Sequence, residues 1–191
     1  MHQYLSKAGL DNQQIEKFAS IFTEKLFLKS GEYFVEEGQI SNYLGFIVKG
    51  ACRYYHNTFT GDEITRWVAL ENDFITSLSS FITGESSIES IQAIRPTEII
   101  LASKTDWNRL FTENEFIRNI WMKRMEEEYL GMEKRVTMFI TRNADERYQW
   151  MLDFKPEFLA EVPNKFLADM LGITPRHLSR LRNKKNRHLS A

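Results

Sequence analysis

One cysteine, Cys52, stands in the 191 residues. No intrachain disulfide can form, and cysteine-ligated iron–sulfur or zinc sites are excluded. Cys52 lies in a strand-like run, where a free thiol is more often a buried structural group than a reactive one. No run of about 18 apolar residues occurs, so no membrane-spanning helix is expected. The opening stretch MHQYLSKAGLDNQQ lacks an apolar signal core, and a cytoplasmic protein is expected. Internal repeats and low-complexity segments are absent. Histidine is scarce as well, with only His2 and His56 ahead of residue 143.

What is present is enough for a core. Hydrophobic residues make up 42% of the chain and aromatics 13%, which suits one large or two small domains. The net charge of −1 hides an asymmetry. From Asn164 onward the basic residues are Lys165, Arg176, Arg180, Arg182, Lys184, Lys185 and Arg187, against the single acid Asp169. That segment carries +6, which leaves −7 for the remainder. A basic end on an acidic body is the footprint of one module that meets phosphate, although a solvated charged tail has the same composition. Arg176 and Arg180, four apart, would share a helix face.

Residues 11–22 predict an amphipathic helix, with Asp11 and Gln14 as a capping box and Ile15, Phe18, Ile21 and Phe22 as its stripe. Residues 24–103 change character. Short runs rich in Phe, Tyr, Ile and Val (32–38, 44–57, 64–70, 87–94, 97–103) alternate with Gly, Asn, Asp and Ser. Many short strands so spaced predict an antiparallel barrel or jelly roll.

Thr105 is placed to cap a short helix through Phe111, and Thr112 with Glu115 to form a second capping box. One long helix of about 113–142 follows. Met122, Met125, Tyr129, Met132, Val136 and Phe139 alternate spacings of three and four along it, as in a coiled-coil seam. A helix of about 27 residues spans roughly 40 Å and needs a partner along that seam. A second copy in a two-fold dimer is the simplest, and packing within one chain is the alternative. Asn143 is a cap or hinge before a helix over 144–154. The domain boundary is expected there, giving 1–142 and 143–191.

The segment PNKFLADMLGITPRHLSRLR (163–182) reads as two short helices around a tight turn. Ala168 lets the helices approach, Gly172 makes the turn, and Ile173, Leu178 and Leu181 lock the second helix on the first. Thr174, Pro175, Arg176, His177, Ser179, Arg180 and Arg182 are then free to meet DNA. Thr174 caps the second helix and Pro175 takes its first turn. Arg176, Ser179 and Arg180 are the candidates for base edges, arginine reading guanine bidentately. His177 and Arg182 assist or touch backbone. Lys165, Lys184, Lys185 and Arg187 are the candidates for phosphate.

Barrel, long helix and C-terminal helix-turn-helix, in that order, resemble the Crp/Fnr superfamily of bacterial regulators. The resemblance covers nearly the whole chain. In the barrel it rests on Gly31, Gly38 and Gly50, on the Gly–x–Glu hairpin of Gly61 and Glu63, and on Asp73–Phe74. In the C-terminal part it rests on ADERY and on VPNKFLADMLGITPRHLSRLR, which look like the subgroup common in Bacteroidetes. The resemblance implies an α+β chain: an antiparallel, cyclic-nucleotide-binding-like β-roll flanked by helices, a long dimerisation helix, and a helix-turn-helix domain. It implies a homodimer on a palindromic double-stranded DNA operator, with RNA polymerase as a further partner and no membrane.

Departures from the family pattern matter equally. Members that bind cyclic AMP carry Gly–Glu after the Asp–Phe and an arginine about ten residues on. Here Thr76–Ser77 replace Gly–Glu, Ser87 falls near the arginine, and no Arg or Lys lies between Phe74 and Ala93. A buried phosphate without a cation is poorly compensated, so control by cyclic AMP is not expected. Thr76, Ser77, Leu78, Ser86 and Ser87 either bind another polar ligand or belong to a surface loop whose hydroxyls are satisfied locally. The oxygen-sensing branch needs several cysteines, and a haem sensor needs an axial ligand for which only His2, His56 and Cys52 qualify. After the second helix little more than NKKNRHLSA remains, so a β-hairpin wing is expected to be reduced or absent. A cupin-type enzyme would need two or three histidines around a metal, and the barrel holds only His56. No catalytic residue, metal or cofactor is assigned. A β-roll that binds a small molecule or protein without specific DNA binding is the alternative reading.

Overall fold

The computed structural model describes residues 1–7 and 9–189. Two short helices, α1 (His2–Lys7) and α2 (Asn12–Ala19), lead into the barrel. Asp11 caps α2 as expected: its carboxylate accepts from the Gln14 backbone N–H at 2.8 Å, and the Gln14 side chain accepts from the Asp11 N–H at 3.1 Å. The helix ends sooner than the sequence suggests, because Phe22 already pairs with Ala102 at the start of β1 (Phe22–Leu28). Ile15, Phe18 and Ile21 are buried all the same.

The other strands are β2 (Tyr33–Val35), β3 (Tyr43–Lys49), β4 (Cys52–Asn57), β5 (Glu63–Ala69), β6 (Phe74–Ile75), β7 (Ser90–Ala93) and β8 (Thr97–Ser103). They form two four-stranded antiparallel sheets, β1-β8-β3-β6 and β2-β7-β4-β5, facing each other as a jelly roll. Between them lies a core of Val35, Ile47, Ile75, Ile91 and Ile99. The run 44–57 is two strands, not one. Gly50 turns the chain at φ +107, where a Cβ would come within 2.6 Å of the Pro96 carbonyl oxygen.

Between β6 and β7 the chain forms α3 (Leu78–Thr83), a helix in a stretch the sequence offers as a polar loop. After β8 comes α4 (Lys104–Glu113). Its cap is Ser103, whose hydroxyl accepts from the Asp106 N–H at 3.0 Å, and not Thr105. The expected Thr112–Glu115 capping box does not form. The Thr112 hydroxyl donates to the Asn108 carbonyl at 2.8 Å, and buried Asn114 breaks the chain before α5 (Glu115–Thr141). Phe18, Trp107, Leu110 and Ile117 close this end of the barrel.

Asn143 forms a reciprocal capping box with Glu146, both bonds at 3.0 Å, and starts α6 (Ala144–Phe154). Helices α7 (Phe158–Glu161), α8 (Asn164–Leu171) and α9 (Pro175–Leu189) follow. Met151, Phe158, Leu167, Leu171, Leu178 and Leu181 form one apolar cluster with Ala51, Val68 and Leu70 of the barrel. The chain junction at Asn143 is therefore bridged by a shared core. No strand follows β8 among the described residues.

Candidate nucleic-acid interface and barrel site

Helices α8 and α9 are joined through Gly172 at φ +63, a conformation glycine adopts without strain. The Gly172 N–H donates to the Asp169 carbonyl at 2.9 Å and the Ile173 N–H to the Ala168 carbonyl at 3.0 Å, which closes α8. The Thr174 hydroxyl accepts from the His177 N–H at 3.2 Å, and Pro175 opens α9. Leu178 and Leu181 are buried beneath α9. Arg176, Ser179 and Arg180 are exposed on its outer side, as is Lys165 on α8, while His177 is half-buried. Ser179 also donates to the Pro175 carbonyl at 3.1 Å.

Two of the basic candidates are engaged inside the chain. Arg182 is half-buried and donates to the Leu159 carbonyl at 2.9 Å, which ties α9 to α7. The Lys184 ammonium lies 3.0 Å from the Asp145 carboxylate. The side chains of Lys185 and Arg187 lie outside the described residues. Arg147, which the sequence did not single out, donates to the Leu171 carbonyl at 2.9 Å and stacks 5.1 Å over the Phe139 ring. Only the three-dimensional meeting of α5, α6 and α8 reveals that role.

Along α5 the seam faces outward over most of its length. Met122, Tyr129, Met132 and Val136 are each more than half exposed. Met125 is half-buried, and Phe139, 44% exposed, leans on the turn at Gly172.

Inside the barrel, the residues standing where a phosphate cassette would lie are bonded to one another. Buried Ser87 donates to the Ser77 hydroxyl at 2.8 Å or to the Glu89 carbonyl at 2.6 Å. Thr76 donates to the Tyr43 carbonyl at 3.0 Å. Leu78 is half-buried and Ser86 exposed. The charged pair beside them was not foreseen. Arg66 grips the buried Glu89 carboxylate with two nitrogens, Nη2 at 2.9 Å from Oε1. Burial works against the Arg66 charge, but the bonded Glu89 carboxylate outweighs it and holds the pKa above the ordinary value. Arg66 also lies 4.7 Å over the ring of Tyr54, whose phenol burial pushes well up. The His56 Nε2 stands 3.9 Å from Glu89, and its Nδ1 faces the Ile88 carbonyl at 2.9 Å. Cys52 is fully buried, and desolvation pushes its thiol up to about 12, a structural and unreactive state.

Three solved structures share this architecture at low sequence identity. FixK2 from Bradyrhizobium japonicum is 18% identical with a TM-score of 0.75 over 86% of this chain and 85% of its own. The c-di-GMP-responsive global regulator CLP of Xanthomonas campestris is 14% identical with a TM-score of 0.70 over 93% of each chain. A CooA mutant from Carboxydothermus hydrogenoformans is 14% identical with a TM-score of 0.69 over 86% of this chain and 77% of its own. No curated protein matches the chain by sequence. These likenesses establish the shared fold, and residues 25–114 match the family model of the cyclic nucleotide-binding domain.

Proposed function

We propose that this chain is a homodimeric, sequence-specific DNA-binding transcription regulator of the Crp/Fnr type, without catalytic activity and working in the cytoplasm. Residues 1–142 form its sensor-like barrel and dimerisation helix, and residues 143–191 its helix-turn-helix unit. One observation carries the reading: α9 buries Leu178 and Leu181 and turns Arg176, Ser179 and Arg180 to solvent on the opposite side. That side matches a recognition helix in the major groove, with Arg176 and Arg180 one turn apart for guanine edges. Lys165 serves phosphate, and Thr174 and Pro175 set the helix start. Arg182 ties α9 to α7, and Lys184 pairs with Asp145 at the surface. The operator is a palindrome with half-sites about one helical turn apart.

Cyclic AMP does not control it. The cassette region lacks a cation for a cyclic phosphate, its buried Ser87 and Ser77 bond to each other, and Arg66 is already held by Glu89. A phosphate beside the Glu89 carboxylate would meet repulsion.

Selection of bound sites from a random DNA pool, with purified protein and no added ligand, tests the reading. A palindrome should be enriched. Arg176→Ala and Arg180→Ala should each cost about 1–3 kcal/mol on that operator and relax the sequence preference, whereas Lys165→Ala should weaken all sequences alike. Arginine variants with unchanged affinity and unchanged preference would remove α9 as the reading head.

A further inference from the structure

Three parts of the molecule meet at one irregularity of β5. Tyr54 pairs with Trp67 and Tyr55 with Thr65, so Arg66 is the extra residue of a β-bulge. Its side chain runs to Glu89 in the barrel. Its carbonyl accepts from Arg135 of α5 at 2.7 Å, and the Arg135 guanidinium lies 4.8 Å over the ring of Trp67. The preceding residue, Thr65, donates its N–H to the Asp169 carboxylate of α8 at 3.2 Å. Strand β5 is the edge of its sheet, and α8 packs against that edge.

The docking of α8 is imperfectly satisfied. Arg53 is buried, with its guanidinium 4.8 Å from the Phe166 ring, and its Nη1 has no hydrogen-bond partner. The Thr65 hydroxyl is also buried without one.

We propose that the Arg66–Glu89 pair is a built-in substitute for an effector: it fixes the β5 bulge, and the bulge holds α5 and α8 in their docked arrangement without a ligand. The DNA consequence rests on the regulator reading above, and the docking itself does not. Glu89 is buried whereas the Arg66 side chain is 42% exposed, so removing the carboxylate lets the Arg66 guanidinium turn to water and unpins the bulge. Coupling between the barrel and α8 is reciprocal, so disturbing either end should be felt at the other.

Amide hydrogen exchange on the full chain without DNA tests this. Glu89→Gln should speed exchange in β5 and α8 by about fivefold or more, with β1, β3 and β8 as protected as in wild type. Asp169→Ala lies outside the barrel and serves if Glu89→Gln does not fold. It should free α8 and also speed exchange at residues 65–67. The double variant should exchange no faster than the stronger single variant. Unchanged α8 exchange in Glu89→Gln, quiet 65–67 amides in Asp169→Ala, or simple additivity would each overturn the proposal. Glu89→Gln should also bind the selected operator about fivefold or more weakly. Wild-type protein that binds no DNA would remove the regulator reading, and the exchange result would still decide the docking.

Discussion

Gly50 is a turn in the sequence and a close approach in the molecule. Its φ of +107 strains any other residue, and a Cβ would lie 2.5 Å from the Thr97 hydroxyl oxygen and 2.6 Å from the Pro96 carbonyl oxygen. Gly61, at φ +84 in the next hairpin, has nothing within 4 Å. The pair separates two effects. Gly61→Ala should cost only the backbone strain, about 1–3 kcal/mol, and Gly50→Ala clearly more, both read from the midpoint of denaturant unfolding. Equal losses would mean that the contact with the 96–97 backbone relaxes freely. The turn was legible from residue type, but the close approach of Pro96 and Thr97 was not. The same limit applies to the basic residues. Helical spacing grouped Arg182 with the exposed arginines, whereas its partner, the Leu159 carbonyl, comes from another helix. Arg66 and Glu89 each looked like one more charge on a strand, because only the folded sheet brings them together.

At the scale of elements, local signals read well where they were strong. The cap or hinge expected at Asn143 and the spacing of the seam placed α5 and α6 within a residue or two. Thr112 misled because it lies within α4, its hydroxyl bonded back to the Asn108 carbonyl, and the break falls at buried Asn114, whose side chain donates to the Leu110 carbonyl at 2.8 Å. Helix α3 has six residues and no side-chain cap, so no periodic signal existed to find. Asn143→Ala should cost about 1 kcal/mol, seen as a lowered unfolding midpoint and faster amide exchange in the first turn of α6. The Asn143 N–H, then Arg142, holds the Glu146 carboxyl below its usual range. A depressed carboxyl stabilises the fold above its unfolded pKa and loses that contribution as pH falls through the folded one. The α6 start should therefore loosen in acid, and a cap insensitive to both the substitution and acid would be stabilised by something else.

The whole molecule shows what neither residue type nor periodicity carries: the C-terminal helices share a core with the barrel. Trp67 of β5 and Phe158 of α7 meet edge to face at 5.2 Å, and Arg95 reaches from the Gly50 carbonyl to the Glu161 carboxylate at 2.6 Å. With the C-terminal helices held this way, the α5 seam still lies largely uncovered. Met122, Tyr129, Met132 and Val136 are 55%, 62%, 58% and 54% exposed, a continuous stripe larger than scattered surface residues require. In the dimer proposed above, a second copy would cover it by two-fold symmetry, each seam meeting its equivalent. Burying each such side chain is worth about 1.5–3 kcal/mol, so Met132→Glu with Val136→Glu removes that gain twice per chain and places like charges across the axis. Sedimentation should give a dimer for wild type and a monomer for the double variant. Operator affinity should fall with it, since one recognition helix reads one half-site. A wild-type monomer, or a double variant still dimeric, would place the partner of α5 elsewhere and leave the two reading heads without the spacing a palindrome demands.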